Sequence, residues 1–573
     1  MNDKPRQKYL SKEELSIAVR EILILPPEKR YRAILDSPNP RRITRALPPQ
    51  EFWITIKKTG ETDSLELLEL ANEEQLIFVQ DIECWVGDKI DPTKTLQWLE
   101  LLKNAGAETV SRWLRAVDAD VFITSLRHFM KVTKPSNEEE LHQLADALPP
   151  YTLDGVYYIH FFSEKYRDVI APILGLFAHL RLDIYLRTME GMIWELGAET
   201  EEQALRWRNG RLRDLGIPDI EEAMFIYQYV DKATFSALPE KRPEYLKGSA
   251  ENSVPLFPLV LPGKKYFVME ALSLFEPGEE LDCILMEIAH LANRVVVADA
   301  MDMSNAEHLS LALSKVRAML SIGLEHLVGG DLESAVDVLK KKWLLNIFQL
   351  GNSITLQLAR RAVSIVRKGW LSRVPKGKSL LGHPLKEFLA GLNRRRPLFY
   401  TAEVTPYRHF DSIEEITIAG EILDKIEYLG ELFFNRLELL STDHRTWVWK
   451  TIYPVEISFE TVLRTALANA AAGRGFKYKP IRKRDIRAFI LNAFEEMEET
   501  KNPASLKRKF RKSVVEDLKS FLDSKGAVQN ERERKIRDEL IESSLKFLED
   551  ELGRLDPNDI EPKYIQGLVI RRE

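Results

Sequence analysis

Leu25-Pro26-Pro27-Glu28 and Leu47-Pro48-Pro49-Gln50 stand twenty-two residues apart, and each leads into an apolar run, Tyr31, Ile34 and Leu35 after the first and Phe52, Trp53 and Ile56 after the second. Proline suits the first turn of a helix, where its missing N–H costs no hydrogen bond, and the acidic or amide side chain that follows favours the positive end of the helix dipole. The pattern predicts short helices with defined starts. Further starts are expected at Asn72-Glu73-Glu74, Asp91-Pro92-Thr93 and Asp118-Ala119-Asp120. Spacings of this size suit stacked two-helix units, so residues 1–135 are expected to form a helical-repeat segment.

Within that segment LPPEKRYRAIL, LPPQEFW and RWLRAVDADVFITSL resemble the helical superhelix of the cytosolic N-terminal part of one class of magnesium transporters and of flagellar motor-switch proteins. The resemblance spans residues 20–130. It implies a curved stack of short helices used for protein contacts, and it carries over no magnesium-binding residue. Over the whole chain, RNGRLRDLGIPDIEEAMFIY at 208–227 and LANRVVVAD at 291–299 are similar to a bacterial family of unknown function, a likeness that implies no activity.

Beyond the first segment the helical period continues. Val169, Ile170, Ile173, Leu174, Phe177, Leu180 and Ile184 recur at three-to-four spacing, which predicts a core-facing helix within 161–196. Gly216-Ile217-Pro218 breaks the pattern, and Asp219 is placed to cap the next helix, in a helical domain expected over 150–238. Prolines at 239, 243, 255, 258 and 262 remove too many backbone donors for regular structure, so 239–265 reads as a Pro-rich linker. A central helical bundle is expected over 266–500, with breaks at 299–305 and at Gly329-Gly330-Asp331 and a short strand permitted near 400–408. Residues 501–573 read as charged, amphipathic C-terminal helices. The fold class is therefore all-α.

Composition narrows the function classes. Of 573 residues, 82 are Lys or Arg and 88 Asp or Glu, a net charge of -6, so no chain-wide attraction to nucleic acid or an anionic membrane is expected. The polar N-terminus shows no secretory signal, and Cys84 and Cys283 cannot build a disulfide framework, which together suggest a reducing cytoplasm. The uncharged stretch Trp343 to Ala359 is too short and too polar to span a bilayer and reads as a buried helix.

Catalytic fingerprints are sparse. Gly377-Lys378-Ser379 lacks the earlier glycine of a phosphate loop, Ser372 standing in its place, and neither G-x-G-x-x-G after a strand nor G-x-S-x-G occurs, so no cofactor is expected. Glu287 and His290 share one helical face, as ligands of carboxylate-bridged dimetal bundles do. One such motif is too few, His308 falls at a different level along the next helix, and a Glu287 to Arg317 ion pair is the expected use of the carboxylate. His326 beside Glu325, and His160 beside Phe161 and Phe162, read as edge or core histidines without a positioned partner. Cys84 next to Trp85 reads as a small buried hydrophobe. Lys477, Tyr478, Lys479, Arg482, Lys483 and Arg484, with a second basic run at 507–512, form a candidate nucleic-acid contact in which Phe476 and Tyr478 would stack bases.

The leading expectation is a non-enzymatic cytoplasmic scaffold or adaptor with protein partners. The alternatives are an enzyme or a ligand or metal binder with a site inside the central bundle, near Glu287, His290 and Arg294, and nucleic-acid binding through 474–512.

Overall fold

A computed structural model describes residues 11–136, 148–241, 266–373, 380–402, 406–438, 452–453, 457–495 and 506–571. Most of the Pro-rich linker, the Gly377-Lys378-Ser379 turn and the acidic residues at 496–499 lie outside the described residues. The fold is all-α, with a few two- to four-residue strands. The chain divides into two compact units, Met1–Gly351 and Asn352–Glu573.

In the first unit three prolines stand where the sequence places them, at the first turns of helices Pro27–Leu35, Pro49–Thr59 and Pro92–Asn104, and Pro40 opens a further short helix, Pro40–Ala46. Asn72 and Gln75 form a reciprocal capping box on Glu73–Glu83, and Asp91 accepts from the Lys94 N–H. Asp118 makes no side-chain cap on Ala119–Leu126; its carboxylate instead meets Arg211. Every second helix packs on the next, Pro27–Leu35 on Pro49–Thr59, that on Glu73–Glu83, and that on Ala107–Ala116. Polar stitching holds the corners. Buried Arg30 pairs with Glu51, and the Gln75 amide donates to the Thr44 and Leu47 carbonyls beside the Pro48-Pro49 helix start, whose prolines have no N–H to offer.

The expected helix within 161–196 is two helices, Glu164–Leu180 and Leu182–Trp194, because Arg181 leaves helical geometry at φ -142°. Before them, strand Tyr158–Phe161 is the middle of a small antiparallel sheet, with Met130 opposite Phe161 and Tyr151 opposite Ile159. Helices Leu182–Trp194 and Gly197–Asp214 both pack on Ala119–Leu126. Asp219 caps Ile220–Met224 by accepting from Glu222 N, and that short helix lies on Glu279–Ala298.

Glu279–Ala298 and Ala306–Val328 form a hairpin around the 299–305 turn. The uncharged stretch becomes the start of helix Leu344–Arg367, whose approach to Ala306–Val328 is set by two glycines. A Cβ on Gly351 would lie 2.0 Å from the Met319 carbonyl oxygen, and one on Gly323 2.4 Å from that of Ile347. No other side chain permits that contact. Among the described residues no helix is long and apolar enough to cross a membrane.

In the second unit, Phe433 stacks on Phe459 at 4.5 Å between ring centroids, and helix Phe459–Ala471 packs on Lys483–Ala493 and Glu531–Leu552. The permitted strand near 400–408 is a hairpin pairing Phe399–Tyr400 with Tyr407–Arg408. After the expected C-terminal helices Arg508–Ser524 and Glu531–Leu552, the chain ends in buried Leu568, Val569 and Ile570, the last in a strand beside Ile452–Tyr453.

Candidate functional site

Glu287 and His290 share a helical face but answer to different neighbours. The Glu287 carboxylate lies 2.5 Å from the Lys241 ammonium and accepts from the Leu344 N–H at 3.0 Å, at the start of the next long helix. This corrects the expected pairing with Arg317: Lys241, which also donates to the Leu339 carbonyl, reaches the carboxylate from the chain's other side. Burial pushes the Glu287 carboxyl up, and Lys241 and the Leu344 N–H oppose that shift. His290 packs against Gly216, and burial lowers its pKa, Arg294 adding to the effect and Glu222 opposing it. Arg294 itself is 2.5 Å from Glu222.

The other histidines are also placed. His308 Nδ1 accepts from the Asp302 N–H at 3.0 Å, His326 is exposed in the last turn of Ala306–Val328, and His160 is exposed on its strand. Among the described residues no three His, Cys, Asp or Glu side chains gather as a metal would require. Cys84 and Cys283 are buried thiols outside any disulfide, and burial raises both, away from nucleophilic chemistry.

The basic segment alternates. Lys477, Lys479, Arg482, Lys483 and Arg484 are exposed, whereas Tyr478 turns inward between two of them. The Asn469 amide holds this course by donating to the carbonyls of Lys477 and Lys479, each at 2.8 Å. Phe476 stacks on Phe521 at 5.0 Å, and Arg474 pairs with Asp485. The cations thus form an outer row while both aromatic rings are engaged by the fold, so the stacking platform of a single-strand binder is not displayed.

Two features lie outside the sequence-based candidates. The first is a set of exposed apolar side chains on helices Leu182–Trp194 and Gly197–Asp214 and the link between them: Trp194 is 75% exposed, Leu196 65%, Leu182 55% and Trp207 49%. The second is a cleft of about 370 Å³ between the Trp85–Asp88 turn, helix Gly197–Asp214, the 217–220 link and the 300–303 turn. Its floor holds Arg208. Thr200, Ala204, Arg208 and Leu212 are the buried row of their helix, at four-residue spacing, so a guanidinium takes a position made for a hydrocarbon. That row was the available sequence signal, hidden because charge normally marks a solvated face.

Arg208 Nε donates to the Asp81 carbonyl at 2.8 Å, at the end of helix Glu73–Glu83, and its guanidinium lies 5.1 Å from the Trp85 ring centroid. The Asp81 carboxylate is taken by Arg211, which grips both oxygens at 2.7 and 2.9 Å. Burial lowers the Arg208 pKa, with Asp81 and Asp88 opposing from longer range. Ala300, lining the same cleft, has φ 52°, a left-handed conformation unusual for a residue with a Cβ.

No curated protein and no solved structure matches the chain. A model of one family, described as a family of unknown function (DUF6178), matches residues 7–571, and the chain, like the bacterial likeness read from its sequence, belongs to a family whose activity is unassigned.

Proposed function

We propose that the protein is a non-enzymatic cytoplasmic adaptor that presents helical surfaces to protein partners. The observation that carries this reading is the exposure of Trp194, Leu196 and Trp207 on two successive helices and the link between them. Large apolar side chains left in water cost solvation free energy, and clusters of them mark association surfaces. Tryptophan is also the side chain most enriched at binding hot spots. Two further features support the reading. The alternate-helix packing through residues 27–116 fits a repeat stack, whose extended faces suit protein contacts. Buried cysteines that form no disulfide fit a reducing compartment.

The test is purification of the tagged full chain from its native cells, beside the variant Trp194→Glu/Trp207→Glu. The reading expects defined partners to copurify with the parent and to be lost from a variant whose melting temperature is unchanged. The same partners on both proteins, or none on either, overturns it.

A further inference from the structure

We propose that the cleft floored by Arg208 is a binding site for a small hydrophobic monocarboxylate. This goes beyond the adaptor reading and stands or falls separately. The side chain is 5% exposed and makes no ion pair among the described residues: its contacts there are carbonyl oxygens and the Trp85 ring, and Asp81 and Asp88 act on its charge only through space. Its weak second contact, 3.5 Å to the Gly87 carbonyl, leaves most of the planar donor edge unused, and Nη2 makes no hydrogen bond among the described residues. A buried cation without an anion is costly, and natural folds supply one from the chain or from a ligand. The carboxylate of Asp81, whose carbonyl Arg208 holds, is already gripped by Arg211.

The walls define the rest of the ligand. Leu205, Ile217, Val297 and Met301 make the lining mainly hydrocarbon, the composition of a small-molecule site with one orienting polar group. The guanidinium fork matches a carboxylate's two oxygens. Three aspartates stand around the cleft. Asp302 is matched by Lys94 and Asp219 by Arg213, while Asp88 stands exposed at the rim, so the buried floor presents a cation and the aspartates around it disfavour a more highly charged phosphate. Trp85, whose buried indole N–H has no acceptor among the described residues, lies against the same guanidinium and serves as a reporter.

The experiment is a calorimetric and tryptophan-fluorescence titration of the full chain with decanoate and with phenylacetate, using decanol and inorganic phosphate as comparisons. The proposal expects one saturable site for a carboxylate, with decanol and phosphate each at least about tenfold weaker. Arg208→Gln should weaken carboxylate binding about thirtyfold or more, the usual scale for losing one partner of a buried charge pair. Because Arg208 also holds the end of a helix, Val297→Trp provides an independent variant that fills the cleft and leaves the arginine in place; it should abolish binding with the fold intact. Absence of saturable carboxylate binding overturns the proposal. So does binding that decanol or phosphate matches, or binding that survives Val297→Trp. The copurification result for Trp194 and Trp207 is indifferent to every one of these outcomes.

Discussion

The Lys241 ammonium, fully covered by the fold, sits 2.5 Å from the Glu287 carboxylate, whose other oxygen receives the Leu344 N–H. One carboxylate therefore neutralises a buried cation and satisfies a backbone donor. Removing one member of such a pair leaves the other charged and desolvated, at about 3–5 kcal/mol. Glu287→Ala is expected to lose stability on that scale in urea unfolding, and Glu287→Gln less, because the amide oxygen can still accept from Leu344. Bound metal, measured by elemental mass spectrometry, should not differ between parent and variant.

Gly216 and His290 make a second close relationship. Gly216 has φ 79°, and a Cβ there would lie 2.6 Å from His290 Cε1. Gly216→Ala adds a left-handed backbone penalty of about 1–2 kcal/mol to that clash. In Gly216→Ala/His290→Ala the clash is gone and only the backbone penalty remains. A double-mutant cycle should therefore show favourable coupling between the substitutions; strict additivity would refute the contact.

Ala300 ends helix Glu279–Ala298 in the hydrogen-bond pattern that normally takes glycine, with Met301 N donating to Val296 O and Ala300 N to Val297 O. Ala300→Gly relieves left-handed strain of about 1–2 kcal/mol and adds about 0.5–1 kcal/mol of unfolded-chain entropy. A small net gain, about 0.5 kcal/mol, is expected in thermal or urea unfolding. A clear loss would show that the Ala300 methyl contributes packing beyond its backbone cost.

His290 makes stability depend on pH. Its folded pKa lies below the ordinary 6.5 because burial disfavours the imidazolium. As pH falls below 6.5 the unfolded chain takes up this proton first, so the contribution is complete above that value and declines until the folded pKa is reached. Between pH 7 and 5.5 the parent should lose up to about 1 kcal/mol more than His290→Asn, read from paired unfolding curves. Equal slopes for the two proteins would place the histidine in water.

Much of the helical plan is legible from local chemistry. Proline at a first turn, Asn72, Asp91 and Asp219 as caps and Gly329 after a long helix all work through atoms within a few residues, so their effect follows from the chain order. The break at Arg181 escaped because the apolar spacing runs straight through it, and the strand at Ile570 because a two-residue strand has no period to detect. Of the sites, the exposed basic residues stand where the sequence places them, whereas Tyr478, expected to stack bases, turns inward, and Phe476 is taken by Phe521, forty-five positions away, a contact no local spacing announces.

By itself the sequence determined an all-α chain with defined helix starts, no span long and apolar enough for a bilayer, and a Glu287 and His290 that share one helical face. Tertiary structure alone decided that Lys241 reaches Glu287, that Gly216 presses on His290, and that Arg211 takes Asp81 while Arg208, one turn earlier on the same helix, is buried beside Trp85 and makes no ion pair among the described residues. Helix formation is governed by neighbours three and four residues away, whereas the partner of a charge is whatever packing brings within a few ångströms, and in this chain the Lys241–Glu287 and Arg211–Asp81 partners lie 46 and 130 positions apart.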